Sequence, residues 1–142
     1  MVEINNLTTT KIDEEFIEKV AKIVLEGENE KRVDLSIALV GQGRIRELNK
    51  KYRGKNRVTD VLAFGQNQKL PIIPKNEPGL GEVVICLREV KKNAKRFKSS
   101  LEIELARVLI HGILHLLGYN HEISEEKAKE MEEKQNYYLS KV

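Results

Sequence analysis

The 142 residues are 40% hydrophobic and 33% charged, enough apolar material for one core beneath a densely charged surface, which excludes a disordered chain and predicts a single domain over residues 1–142. Lys and Arg number 25 against 22 Asp and Glu, and the net charge of +3 permits an anionic partner without requiring one. The lone cysteine, Cys86, has no internal disulfide partner and fits a reducing cytoplasm; residues 1–16 lack the apolar core of a signal peptide, and the longest apolar stretch, residues 108–118, is too short to cross a bilayer.

Residues 2–5 read as a short strand. Over residues 12–25, Ile12, Phe16, Ile17, Val20, Ile23 and Val24 recur at helical spacing, with Asp13 placed to cap the start. Val33, Leu35, Ile37 and Leu39 then alternate with Asp34, Ser36 and Ala38, which predicts a half-buried strand ended by Gly41 and Gly43. A helix over residues 42–52 leads to buried strands at residues 61–64 and 82–86. Residues 65–80 between them hold Pro71, Pro74 and Pro78, a long loop that reads equally as a substrate flap or as a connector. Helices over residues 87–98, 101–117 and 125–140 complete the chain. Ser124 caps the last, whose exposed face is expected to pair Glu125 with Lys129 and Glu130 with Lys134. The helix from residue 101 is apolar on nearly every side and belongs at the centre of an α+β or α/β arrangement with one small sheet.

All three histidines fall in eleven residues, His111-Gly-Ile-Leu-His115-Leu-Leu-Gly118-Tyr-Asn-His121. His111 and His115, four apart, project from one helix face and can meet a single cation. Gly118 stands where a helix ends through a left-handed residue, so the chain can double back and bring His121 in as a third nitrogen donor. Three protein ligands leave a fourth tetrahedral position open, the mark of a catalytic zinc site; nickel, cobalt and copper also suit imidazole. The spacing is that of the metzincin peptidases, but Gly112 stands where their general-base glutamate belongs, so peptide hydrolysis is disfavoured.

Basic residues gather in two stretches, Arg44, Arg46, Lys50, Lys51, Arg53, Lys55 and Arg57, then Arg88, Lys91, Lys92, Lys95, Arg96 and Lys98. The second set rings a helix and reads as a solvated face. In the first, Arg53 precedes Gly54 at a helix end, where its guanidinium fork can contact a phosphate; an open metal with an arginine is the equipment of phosphoryl transition-state stabilisation.

Tyr52-Arg53-Gly54-Lys55, Thr59-Asp60-Val61-Leu62-Ala63-Phe64, Gly81-Glu82-Val83-Val84-Ile85-Cys86 and the histidine motif, in this order, resemble the YbeY family of bacterial endoribonucleases. The resemblance implies an α+β fold with a small mixed sheet packed by helices, in which a central buried helix carries the first two ligands as in zincins. It also implies a zinc ion on His111, His115 and His121, with His115 and Arg53 as the catalytic residues. The implied substrate is single-stranded RNA, the partners ribosomal RNA and the small ribosomal subunit, and the setting cytoplasmic 16S rRNA 3′-end maturation and ribosome quality control, with no membrane role. The family usually has Asp at Asn120, Ser at Ala63 and Asp at Glu82.

Other residues admit two readings. Thr59 and Asp60 orient a ligand or the arginine, or form an ordinary turn. Tyr119 stacks on a base or closes the helix end. Glu122 accepts a proton or is solvated, and Cys86 reads as core. Two functional alternatives stand beside the ribonuclease: a metal-dependent peptidase or amidase, and a non-catalytic ribosome- or RNA-binding factor with a structural zinc.

Overall fold

The computed structural model describes residues 1–30, 33–65 and 79–142. The elements run β1 (Val2–Asn6), α1 (Glu14–Gly27), β2 (Leu35–Val40), α2 (Gln42–Arg53), β3 (Val61–Gly65), β4 (Gly81–Cys86), α3 (Leu87–Arg96), α4 (Leu101–Leu116) and α5 (Glu125–Leu139). The architecture is α+β, with a four-stranded mixed sheet in the order β1-β2-β4-β3. β1, β2 and β4 are parallel, and β3 pairs antiparallel with β4, aligning Val61 with Ile85 and Gly65 with Gly81. The prolines of the long loop lie in residues 66–78, outside the described residues.

Both faces of the sheet are covered. Leu35, Ile37, Leu39, Val83 and Ile85 pack beneath α1 and α4, whose Ile17, Val20, Leu109 and Ile113 complete the larger core. On the opposite face Ala38, Val40, Val84 and Cys86 meet Ile45 and Leu48 of α2 together with Leu62 and Phe64. This corrects the half-buried reading of the second strand: Ser36 and Ala38 are as inaccessible as their apolar neighbours, because β2 is an interior strand sealed by α2. The Asp34 to Leu39 alternation reported the division between two cores, not a division between core and solvent.

Local chemistry starts and stops the helices as the side chains dictate. Asp13, Ser100 and Ser124 each accept a bond from a backbone N–H three residues on, which satisfies an otherwise orphaned donor at the start of α1, α4 and α5. Gly41 caps α2 while Gly43 lies inside it, so only the first glycine ends the strand. α3 stops two residues short of the expected end, where Lys98 takes a left-handed φ of 52°. On α5 the pairs differ from expectation: Lys134 reaches across to Glu28 at 3.3 Å, and Glu130 pairs with Lys127 at 3.6 Å.

α4 is the element on which the others converge, packing against α1, α3, α5, β3 and β4. Leu105, Leu109, Ile110, Ile113 and Leu114 are all buried, which holds the helix in place. Its remaining polar stripe, Arg107, His111 and His115 at intervals of four, is thereby aimed at a cleft beside β3. No helix among the described residues is long and apolar enough to cross a membrane.

Candidate metal centre

His111 and His115 leave the last two turns of α4, and the chain then reverses as the sequence predicts. Gly118 takes φ 102°, its N–H donates to the His115 carbonyl at 3.1 Å, and the Tyr119 N–H donates to the Leu114 carbonyl at 3.0 Å. These two bonds form a Schellman stop, a geometry that a side chain at position 118 would strain. The turn delivers His121 opposite the helix, with its ring centre 5.3 Å from that of His111 and 5.0 Å from that of His115.

One donor nitrogen from each of the three rings falls within 4.8 Å of the others, and the Nε2 atoms of His111 and His115 stand 3.0 Å apart. Two ligands on one tetrahedral zinc, at bonds near 2.05 Å, stand about 3.3 Å apart, so the donor set matches an ion of that size. The opposite ring nitrogens are engaged: His111 Nδ1 meets Gln135 Oε1 at 2.8 Å, and His115 Nδ1 meets the Tyr119 carbonyl at 3.1 Å. Both partners accept, so each Nδ1 carries the proton and each Nε2 keeps its lone pair toward the shared point. Burial pushes both imidazoles below their ordinary pKa, reinforced at His115 by the charges of His111 and His121, which favours neutral rings able to ligate.

The three histidines line a cleft of about 880 Å³ together with Arg53, Asp60 and Gln135. Arg53, at the last position of α2, donates to the Ala63 carbonyl at 2.6 Å and lies 4.9 Å over the Phe64 ring. A backbone oxygen makes that contact, so the absence of a hydroxyl at Ala63 leaves it intact. Lys55 and Arg57 join it on the cleft wall, whereas Arg46 is held by Asn56 outside. The basic residues of α3 are exposed away from the cleft, the solvated face expected of them.

The ambiguous residues separate on contact. Asp60 accepts from Asn93 at 3.3 Å and from Thr59 at 3.5 Å, and its charge favours protonated His111; Arg53 is oriented by Ala63 and Phe64 instead. Tyr119 donates its hydroxyl to Glu28 at 2.6 Å and packs against the larger core, which makes it a closure of the helix end. Burial above all, then Glu28, pushes that phenol up to about 12. Asn120 Oδ1 accepts from the Glu122 N–H at 2.8 Å, a turn that an amide closes as well as a carboxylate. Glu122 stands 4.0 Å from His121 Nε2 and is largely exposed. Cys86 is core, and burial pushes its thiol up.

Sequence reasoning missed three cleft residues. Gln135 lies on another helix, 24 positions from His111, and nothing in the chain links the two. Arg107 and its buried partner Glu104, joined at 2.9 and 3.3 Å, had a signal: Arg107 precedes His111 by one helical turn.

The chain is similar to known proteins over nearly its full length. The profile of the Endoribonuclease YbeY family matches residues 3–142. The Endoribonuclease YbeY of Thermotoga maritima is 40% identical over 94% of this chain and 82% of its own length, and that of Aquifex aeolicus is 39% identical over 96% and 88%. A Thermotoga maritima protein solved in solution superposes with a TM-score of 0.65 at 35% identity, over 98% of this chain and 87% of the other. With nearly the whole length matched and the fold shared, the chain belongs to the YbeY endoribonuclease family.

Proposed function

We propose that this chain is a metal-dependent endoribonuclease that cuts single-stranded RNA, acting as a single domain in the cytoplasm on ribosomal RNA of the small subunit during 3′-end maturation and quality control. One observation carries the reading: three imidazole nitrogens converge in the same cleft as the Arg53 guanidinium. His111, His115 and His121 would hold one ion, zinc by the donor set, with nickel and cobalt also compatible. Bound there, the ion would act as a Lewis acid on a phosphoryl oxygen and lower the pKa of water.

The residues supply the rest. Gln135 and the Tyr119 carbonyl fix the ring tautomers at Nδ1, so the site is organised before substrate arrives. Among the described residues the Arg53 side chain bonds only the Ala63 carbonyl, through one terminal nitrogen, which leaves its other N–H groups for a phosphate whose negative charge grows as the bond breaks. Lys55 and Arg57 on its wall draw the phosphate backbone into the cleft. The peptidase alternative is not favoured, because Gly112 offers no base and the relatives are ribonucleases by name. A structural zinc without catalysis is also disfavoured, since three ligands leave room for a reacting oxygen.

The test is elemental analysis of the purified protein coupled to RNA cleavage by wild type, His115→Ala and Arg53→Ala. Wild type should carry about one equivalent of metal and cut RNA. His115→Ala should lose metal and activity, while Arg53→Ala should keep its metal and lose about 10²- to 10³-fold in kcat. Equal cleavage by all three samples would assign the activity to a contaminant and end the proposal. A cyclic phosphate on the product would identify the 2′-hydroxyl, not water, as the nucleophile.

A further inference from the structure

The cleft extends beyond the metal ligands and Arg53. Its opposite end is walled by Asn93 and Phe97 of the α3 terminus, with Arg107 one helical turn from His111 between them and the histidines. Phe97 is 60% exposed, although Phe64 is fully buried. An isolated exposed phenylalanine is unremarkable on a protein surface. This one shares a cleft with Arg53, Lys55 and Arg57, which sets it apart; of the other charged groups there, Arg107 is paired with Glu104, and Asp60 and Glu122 carry the opposite sign.

Its position is fixed by the backbone. The Phe97 N–H donates to the Asn93 carbonyl at 2.9 Å, Lys98 is left-handed, and the Ser99 N–H returns to the Ala94 carbonyl at 2.9 Å. The helix stop thus anchors the ring at the cleft edge, with only two side-chain torsions left to order. A flat apolar face in a cleft that also presents Arg53, Lys55 and Arg57 complements a ligand that is flat, apolar on its faces and linked to anions. An unpaired nucleobase on a phosphate backbone has that chemistry, and every base presents such a face.

We propose that Phe97 is a stacking platform for one unpaired nucleobase of the substrate, a base subsite at the α4 N-terminal end of the cleft, with the adjoining phosphates toward Arg57. The inference rests on the ribonuclease reading above. Ser100, which caps α4, and His111 are eleven residues apart, about 16 Å along the helix, so the stacked base belongs to a nucleotide flanking the scissile one. The subsite selects unstacked RNA without selecting sequence, because stacking reads no base edge.

The test measures KM and kcat for wild type, Phe97→Ala, Phe97→Leu and Phe97→Tyr on a single-stranded RNA and on a series carrying one abasic position each. Phe97→Ala and Phe97→Leu should both raise KM about five- to twentyfold, with Phe97→Tyr close to wild type. One abasic position flanking the cleavage point should raise the wild-type KM by a similar factor and leave Phe97→Ala indifferent. Restoration by leucine would show that the ring serves as apolar bulk, and an abasic series that affects Phe97→Ala as much as wild type would show that no base rests on it. Either result overturns the subsite while leaving the ribonuclease standing. Wild-type protein that cuts none of these RNAs would overturn both.

Discussion

Gly112 separates this helix from that of a zinc peptidase, and packing supplies the reason. A Cβ built there would fall 2.8 Å from Val83 Cγ1 and 3.3 Å from Val61 Cγ2, both on the sheet beneath α4. Val83 is fully buried and cannot swing aside. The position where a peptidase keeps its base is therefore occupied by the sheet. Gly112→Ala gains about 1 kcal/mol of helix propensity but overpacks the core by about 1 to 3 kcal/mol, so a net loss of about 1 kcal/mol is expected in denaturant unfolding. A stabilised variant would mean that β3 and β4 yield more readily than their burial implies. Gln135 acts in the opposite direction, by making a bond. Gln135→Leu removes the acceptor for His111 Nδ1–H and frees the ring to rotate, so metal affinity measured against a chromophoric chelator should fall about 10- to 100-fold with the fold retained.

Three elements are tied together through one carboxylate. Glu28, just after α1, accepts from Tyr119 beyond α4 and from Tyr138 and Lys134 on α5. Burial opposes its charge, but the two phenols and the ammonium outweigh that and hold the carboxyl below the usual range. A depressed carboxyl contributes stability that is complete above its unfolded value of about 4.3 and is lost as pH falls through the folded value. Glu28→Gln should therefore cost about 1 to 2 kcal/mol at pH 7, and urea unfolding at pH 3 should find the two proteins closer together. A gap that stays constant with pH would assign the effect to packing alone. This clamp was not legible in the sequence: its partners lie 91 to 110 positions from Glu28, and although Tyr119 falls inside the histidine motif, nothing there points to a carboxylate after α1. The elements themselves were legible because their causes are local: Asp13, Ser124 and Gly118 act within a few residues of their own positions. The histidine cluster was legible for the same reason, being closed by one helical turn and one reversal. The burial of Ser36 was not, because a strand's alternation cannot report which element covers its second face.

Across the molecule, charge is distributed by location more than by amount. A net charge of +3 over 142 residues is small, yet Arg53, Lys55 and Arg57 stand together on the cleft wall while α3 carries its cations outside it. Arg107 adds less, because the buried Glu104 carboxylate offsets it at 2.9 Å. Counterion release on binding single-stranded RNA counts only cations that meet phosphates. Three such contacts give a slope of about −2 in log K against log salt. Exchanging Lys55 and Arg57 for Ala should reduce the magnitude of that slope by about 1.4, whereas exchanging Lys91 and Lys95 on α3 should leave it near the wild-type value. Both double variants remove the same formal charge, so a general attraction to the whole molecule would change their slopes equally, and titration of RNA binding over a range of salt concentrations separates the two cases. Equal slopes would show that the overall charge of the molecule holds the RNA, and a larger loss from the Lys91 and Lys95 exchange would move the RNA path onto the outer face of α3.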